Sequence, residues 1–276
     1  MTAPTTLAST CEAIYARYHD PRYISPDPLE VVRGYRSIAD REVAGFIASA
    51  LALGRVEGIV AAARWVLNRL GSRQTLTSAP EAELRELAAT FVYRFFDGEQ
   101  LYGLLLGLRR VIGEYGSLER CFAAGIAERP PDPALVGLAF LVERIVTAAD
   151  GRLDHSILVA RPEKGSACKR LLLFLRWMVR DDAIDPGGWT ALSAADLLVP
   201  VDTHMLRVTR SLRLTSAKQP SLRVAHEVTA AFREIAPEDP VRYDFSLTRP
   251  GIHPVLRRES PWRPGQLESG RLTQPA

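Results

Sequence analysis

A lysine at the start of an apolar helix is the first feature of this sequence that could do chemistry. Lys169 stands in a stretch, Ala167 to Val179, in which nearly every residue is apolar, a pattern typical of a helix buried on most sides. An apolar environment disfavours the charged form of an amine, so a lysine at the edge of such a helix can act as a nucleophile near neutral pH. We therefore expect Lys169 to be catalytic; the alternative is a solvated first-turn lysine.

An aspartate that should remain ionised is the second such feature. Asp202 precedes a stretch in which Met205, Val208 and Leu212 recur with helical spacing, so it is placed to cap that helix. A carboxylate at an N-cap accepts backbone N–H bonds, which hold its charge and its direction. We expect Asp202 to work with Lys169, as a proton acceptor or as a stabiliser of positive charge. Helix capping alone would also explain the residue.

The turn before Lys169 could hold a phosphate group. Pro162 and Gly165 predict a tight turn, and Ser166 can cap a helix that extends to about Arg180. Backbone N–H groups at such a turn can bind a phosphate group. The residues that we expect to contact phosphate, in this turn and on the two helices, are Lys164, Gly165, Ser166, Arg170, His204 and Arg207.

The elements that must position these residues are predicted to be helices. No convincing run of alternating apolar and polar residues predicts a strand, so the predicted fold class is all-α. Asp40 is a candidate cap, and Ser78 with Glu81 has the spacing of a capping box. Besides a first helix from residue 7 to before Pro21, helices are predicted at residues 40–54, 56–70, 79–93, 101–112, 116–122, 134–149, 167–180, 203–212 and 221–235.

The stretches that carry the two chemical residues resemble a known superfamily. The turn PEKGS with ACKR after it, and the downstream VDTHMLRV, resemble the helix-hairpin-helix DNA glycosylases of the endonuclease III superfamily. In that superfamily a lysine begins the second helix of the hairpin and an aspartate stands in a V-D-T-H-x-x-R-V stretch, and Lys169 and Asp202 match these positions. The resemblance implies two helical lobes with an active-site cleft between them, and damaged DNA as the partner whose phosphates the residues named above would contact. It also implies DNA glycosylase activity with or without AP-lyase activity.

Two departures from the superfamily pattern bear on the substrate. PEKGS stands where the common hairpin reads LPGVG, and the interval from Lys169 to Asp202 is longer than in endonuclease III itself. That interval is similar to the archaeal 8-oxoguanine DNA glycosylase branch, which implies an oxidised purine as the excised base. The segments GSACKR, LFLRWMVR and EDPVRYDF also resemble a bacterial family of largely uncharacterised proteins. This second resemblance extends over most of the chain.

Composition limits the classes of site that the chain can hold. Three well-separated cysteines cannot form a disulfide framework or bind a four-thiolate cluster, and the five histidines show no metal-ligand spacing. We therefore expect no iron–sulfur cluster, no other cofactor and no metal. The net charge of +3 is too small to indicate nucleic-acid binding, although the positive surplus falls in residues 161–220.

Length and patterning predict one domain and a tail. With 276 residues and 47% hydrophobic residues, the chain can bury a core. Residues 1–256 are expected to form a glycosylase-like domain, and residues 257–276, rich in Pro, Gly and charge, a disordered tail. No signal-peptide pattern or long apolar run is present, so we expect a cytoplasmic monomer. Two other hypotheses remain open: a non-catalytic helix-hairpin-helix DNA-binding protein, and a helical scaffold with no nucleic-acid role.

Overall fold

The computed structural model describes residues 6–162, 167–259 and 262. Within these ranges the chain forms thirteen α-helices, and its extended pairing is limited to two isolated bridges, Tyr93 with Phe96 and Asp181 with Pro186. The predicted all-α class is therefore confirmed for the part of the chain that the structure describes. None of the described helices combines the length and the apolar composition needed to cross a membrane.

The α-helices, in chain order, are α1 Leu7–Tyr18, α2 Leu29–Val32, α3 Ile38–Ala50, α4 Val56–Leu70, α5 Arg73–Ser78, α6 Glu81–Ala89, α7 Gly98–Tyr115, α8 Leu118–Gly125, α9 Pro133–Thr147, α10 Lys169–Val179, α11 Thr203–Ser211, α12 Leu222–Arg233 and α13 Asp244–Ile252.

Capping side chains explain where most of these helices begin. A Ser, Thr or Asp stands before eight of them and accepts a backbone N–H from the first turn. α10 is different, because the residue before it, Cys168, makes no side-chain cap and has left-handed backbone, with φ 47°. The predicted start of this helix at residue 167 was wrong: the left-handed residue comes first and the helix begins at Lys169.

Two predicted caps were also wrong, because contacts and helix boundaries in the folded chain differ from the local prediction. Ser37, not Asp40, caps α3, and Asp40 instead accepts the backbone N–H of Arg73, 2.7 Å away. Ser78 ends α5 and caps nothing, because Ser72 has already started that helix, so the predicted capping box is not formed. By contrast, the predicted helix over residues 56–70 is α4 as observed.

The helix that carries Lys169 is fixed by close packing on α3. Gly45 of α3 has no side chain, and a Cβ there would lie 3.3 Å from the Met178 side chain and 3.4 Å from the ring of Phe174. Phe46 meets Phe174 edge to face, with ring centroids 5.2 Å apart. Aromatic pairs of this kind add to the energy of burial. α10 therefore has a fixed direction, and its first residue points out of the core at one end.

A buried charge cluster ties α10 to α13. The Arg176 side chain is buried on α10 and donates to both carboxylate oxygens of Asp185 and to the first residue of α13, Asp244. Arg180 donates to Asp185 and Asp239. Since removing one partner of a buried ion pair leaves an uncompensated charge, these contacts hold the two helices in one arrangement. α11 packs on α13, so its position relative to α10 is fixed through the same cluster.

Part of the predicted disordered tail is attached to the body. Leu256–Glu259 form a short 3₁₀ helix. Trp262 is buried, and its indole N–H donates to the Leu247 carbonyl at 2.7 Å. Residues 260, 261 and 263–276 lie outside the described residues, so disorder there stays a prediction.

Candidate active site

Two helix N-termini meet at one cavity. α10 begins with Lys169, and Asp202 caps α11; both side chains line a cavity of about 660 Å³. Cavities of this size are typical of sites for small ligands. The sequence separates these helices by a long segment without α-helix, yet the structure brings their first residues together.

The amine and the carboxylate form an ion pair that a ligand can reach. The Lys169 Nζ lies 3.4 Å from the Asp202 Oδ2, with 32% of the lysine side chain and 23% of the aspartate side chain exposed. At this exposure the pair contributes at most about 1 kcal/mol to folding. Because stability does not depend strongly on it, the pair is available for chemistry.

The two oxygens of Asp202 have different partners. Oδ1 accepts the backbone N–H groups of His204 and Met205, at 2.8 and 2.9 Å, and Oδ2 faces Lys169. Burial would raise the pKa of Asp202, but the Lys169 charge, the two N–H bonds and the nearby His204 hold that pKa below its ordinary value. Asp202 is therefore ionised at neutral pH. The cap bonds fix its direction, as the sequence predicts.

Arg170 builds the cavity wall. Its guanidinium donates to three backbone carbonyls, those of Ala50, Ile157 and Leu158. Burial lowers the pKa of Arg170. These bonds join the end of α3 and the loop 157–158 to the start of α10. The predicted DNA contact for Arg170 stays a prediction, but three of its N–H donors already have protein partners.

His204 and Arg207 lie on the outer side of Asp202. Their side chains are in contact, with Arg207 Nη2 3.2 Å from His204 Nδ1. Burial lowers the pKa of His204, and the Arg207 and Lys169 charges act in the same direction, opposed by Asp202. Gly251 of α13 makes room for this pair, because a Cβ there would lie 2.9 Å from the Arg207 guanidinium. Arg207 itself is exposed, which suits the predicted phosphate contact.

The turn predicted to bind phosphate is not described. Lys164, Gly165 and Ser166 lie outside the described residues, so their predicted DNA contacts, and the predicted cap by Ser166, have no structural account. On the side before the turn, residues 148–162 form no α-helix. The described residues thus include the helix after the turn, α10, but no helix immediately before it.

Two loops that line the cavity are not predicted from the sequence. Residues 52–54, between α3 and α4, and residues 154–157 and 159–161 line the same cavity as the ion pair. His155 and Ile157 of the second loop are exposed. Neither loop has a helical period or a capping pattern, so no signal in the sequence connects them to Lys169. In the ranges that the structure describes, no three His, Cys, Asp or Glu residues group as metal ligands would.

The chain matches the sequence model of one protein family over most of its length. The sequence model of a family described as a protein of unknown function, DUF2400, matches residues 27–253. This range includes Lys169, Asp202 and both loops of the cavity. No curated protein and no solved structure matches the chain.

Proposed function

Because the chain belongs to the DUF2400 family, whose description assigns no activity, we propose a function from the site itself. The protein is a DNA repair enzyme, a glycosylase with AP-lyase activity, in which Lys169 is the nucleophile and Asp202 the assisting carboxylate. One observation carries the proposal: an amine and an ionised carboxylate 3.4 Å apart, both partly exposed, in the wall of a 660 Å³ cavity. The type of reaction is inferred from the resemblance of the two surrounding stretches to the endonuclease III superfamily.

The chemistry needs one proton acceptor and one amine. Oδ2 of Asp202 accepts a proton from the Lys169 ammonium, and the amine attacks C1′ of the damaged nucleotide. The C1′–N bond breaks, and the base leaves with the electron pair and receives the proton from Asp202. The sugar ring then opens to an imine on Lys169. Asp202, which is ionised again, accepts a proton from C2′, the C3′–O bond breaks, and the 3′-phosphate leaves with the electron pair, so that the strand is cut.

The carboxylate has a second role during base loss. Positive charge develops on the sugar as the C1′–N bond lengthens, and a fixed anion stabilises such charge more than mobile water does. Oδ1 is held by two N–H groups, so Oδ2 cannot turn away from C1′ when the lysine moves. Asp202 can therefore cap α11 and take part in the proposed reaction at the same time.

The remaining predicted contacts complete the proposal. We propose that the cavity is the cleft between two helical lobes and that the nucleotide enters it after leaving the base stack, at a cost of a few kcal/mol. The undescribed turn at residues 163–166, with His204 and Arg207, would hold the flanking phosphates. The interval between Lys169 and Asp202 is similar to that of the archaeal 8-oxoguanine DNA glycosylase branch, and this resemblance favours an oxidised purine as the base.

Borohydride trapping tests the nucleophile. The chain has few lysines, so a trapped product can be assigned to one of them. The sequence has three lysines, Lys164, Lys169 and Lys218. We expect wild-type protein to be reduced onto duplex DNA carrying 8-oxoguanine or an abasic site, and Lys169→Gln to give no covalent product. Lys218→Arg is the matched control: it removes a lysine that has no role in the proposed site and should trap as wild type does.

Two outcomes would contradict the proposal. If Lys169→Gln traps as well as wild type, another amine is the nucleophile. If the wild type binds DNA in a strongly salt-dependent manner but neither traps nor releases a base from any substrate, the protein is a non-catalytic DNA-binding protein.

A further inference from the structure

Two apolar side chains stand in solvent on the connection between α6 and α7. Val92 is 79% exposed and Phe95 is 66% exposed. Covering such apolar surface with a partner is favourable, because it removes that surface from water. The pair therefore marks a candidate contact surface, and the neighbouring residues show where this surface lies.

The turn that carries the exposed ring is fixed to the cavity wall. Residues 93–96 form a turn closed by two backbone hydrogen bonds of 2.9 Å between its ends. The Tyr93 hydroxyl donates to the Leu53 carbonyl at 2.8 Å. The Arg94 side chain lies against Gly54, where a Cβ would be 2.8 Å from its guanidinium. Since Leu53 and Gly54 line the cavity that holds the ion pair, the turn is attached at the edge of that cavity.

α11 carries a row of exposed arginines away from the same cavity. Thr203 lines the cavity, and Arg207 and Arg210 follow it on one exposed face of the helix, with Arg213 just beyond the helix end. Thr203 and Arg210 are about 10 Å apart along the helix axis. Among the described residues, no ion pair includes any of these three arginines. Their charges are available to an anionic partner.

An aromatic ring and a row of cations at the edge of one cavity fit a polynucleotide strand. Proteins that bind single strands combine cations that follow the phosphates with aromatic side chains on which bases stack. Arg94 lies 5.4 Å from the centroid of the Phe95 ring, and an arginine beside a stacked base adds a cation–π contribution. In a closed duplex, neighbouring bases cover each other's faces. The ring could then reach a base face only after a base step had opened.

The balance of the two effects favours an unpaired strand. One base stacked on an aromatic side chain raises affinity by about 5- to 150-fold. Opening one base step of a duplex lowers affinity by roughly 100-fold or more. A single ring therefore at most offsets the opening of a duplex step. On an unpaired strand no step has to open, and the whole stacking contribution adds to binding.

We propose that Phe95 stacks on a base of an unpaired DNA strand, next to the nucleotide in the cavity, while Arg207 and Arg210 hold phosphates of that strand. The site thus prefers single-stranded or locally unpaired DNA to a closed duplex. This inference rests on the proposed function, because that function places a DNA nucleotide in the cavity. An unpaired nucleotide also enters a pocket at lower cost than one that must leave a duplex.

Fluorescence anisotropy with the full chain tests the ring. The probes are a labelled single-stranded oligonucleotide and a duplex of the same sequence, at one salt concentration. We expect the single strand to bind at least about tenfold more tightly. Phe95→Leu keeps an apolar side chain but removes the flat ring, and should weaken single-strand binding by about 5- to 150-fold. Phe95→Trp keeps a flat ring and should bind as wild type does.

Salt dependence tests the arginines. Each phosphate contact on a single strand contributes about 0.7 to the slope of log affinity against log salt concentration. Arg210→Gln should therefore reduce the magnitude of this slope by about 0.7. Arg129, which is exposed on the loop between α8 and α9, gives the matched control: Arg129→Gln should leave the slope unchanged. Equal slopes for wild type and Arg210→Gln would overturn the assignment of a phosphate to this face of α11.

The outcomes separate this inference from the proposed function. A duplex bound as tightly as the single strand, or single-strand binding that is unchanged in Phe95→Leu, overturns the inference. A loss confined to the duplex in Phe95→Leu overturns it too, because the ring would then open a base step. In each of these cases, borohydride trapping that depends on Lys169 leaves the proposed function standing. Conversely, ring-dependent single-strand binding with no trapping on any substrate supports the stacking contact and overturns the proposed function.

Discussion

Asp202→Asn separates the structural role of Asp202 from its chemical role. Asparagine keeps an oxygen that can accept the N–H groups of His204 and Met205, as Oδ1 of the aspartate does. It replaces Oδ2, which faces Lys169, by a neutral NH₂ group. Asp202→Ala removes both functions. Wild type and these two variants therefore form a series in which the charge is lost first and the cap second.

The magnitudes follow from exposure and geometry. The ion pair is partly exposed, so losing its charge should cost about 0.5–1 kcal/mol of unfolding free energy. Asn and Asp are equally good caps, whereas replacing a cap by Ala costs about 1 kcal/mol. We expect stability to fall in the order wild type, Asp202→Asn, Asp202→Ala. Trapping on abasic DNA should instead fall about 10²-fold or more in both variants alike, because both lack the anion.

The pH dependence gives a second readout of the same charge. The folded-state pKa of Asp202 is below its ordinary value, so the carboxylate contributes stability above the unfolded-state pKa, about 3.9. That contribution is lost as the pH falls through the lower, folded-state pKa. The stability difference between wild type and Asp202→Asn should therefore be full near pH 7 and shrink below about pH 4. Urea unfolding at several pH values measures it.

One result would refute the reasoning. If Asp202→Asn folds like wild type and also traps abasic DNA at the wild-type rate, the charge on Oδ2 has no part in the reaction, and Asp202 is a helix cap only. Lys169→Gln in the same assays is the control, since it should abolish trapping while leaving the cap intact.

Two further predictions concern the scaffold. Arg176→Met removes the guanidinium from two buried carboxylates and should lower the free energy of unfolding by about 3–5 kcal/mol, measured by urea denaturation; a loss below about 1 kcal/mol would mean that the cluster does not fix the helices. Gly107→Ala would set a Cβ 2.4 Å from the Ile145 carbonyl oxygen and should cost about 1–3 kcal/mol. Gly113→Ala, on the same helix with no atom near its Cβ, should stabilise by about 0.5–1 kcal/mol; equal effects at both glycines would contradict this packing.

Local signals in the sequence were sufficient to predict some helix starts and not others. The cap at Asp202 and the helix after it depend on a few adjacent residues, and the structure has them as predicted. Ser37 and Asp40 are both good caps three positions apart, and the choice between them is tertiary, because Asp40 accepts an N–H from Arg73 on a later helix. No local pattern contains that information.

The same distinction, between what local sequence predicts and what depends on tertiary contacts, applies to the candidate site. The proximity of Lys169 and Asp202 could be expected only from the resemblance of their surroundings, because no periodicity connects residues on either side of a long segment without α-helix. The partners that fix their helices, such as Asp244 for Arg176, come from distant parts of the chain. The cavity walls come from two irregular loops. Composition and periodicity do not predict which loops meet.

The orientation of the ion pair follows from neighbours that have no chemical role themselves. Arg170, next to Lys169, binds carbonyls from α3 and from the loop at 157–158, so the first turn of α10 cannot rotate. At the other partner, two N–H groups of α11 hold Oδ1 of Asp202. With both backbones fixed, the freedom that remains is in the lysine side chain, which can leave the carboxylate and return to it. The proposed nucleophile, which would form and release a covalent bond, needs this freedom, and a purely structural salt bridge does not.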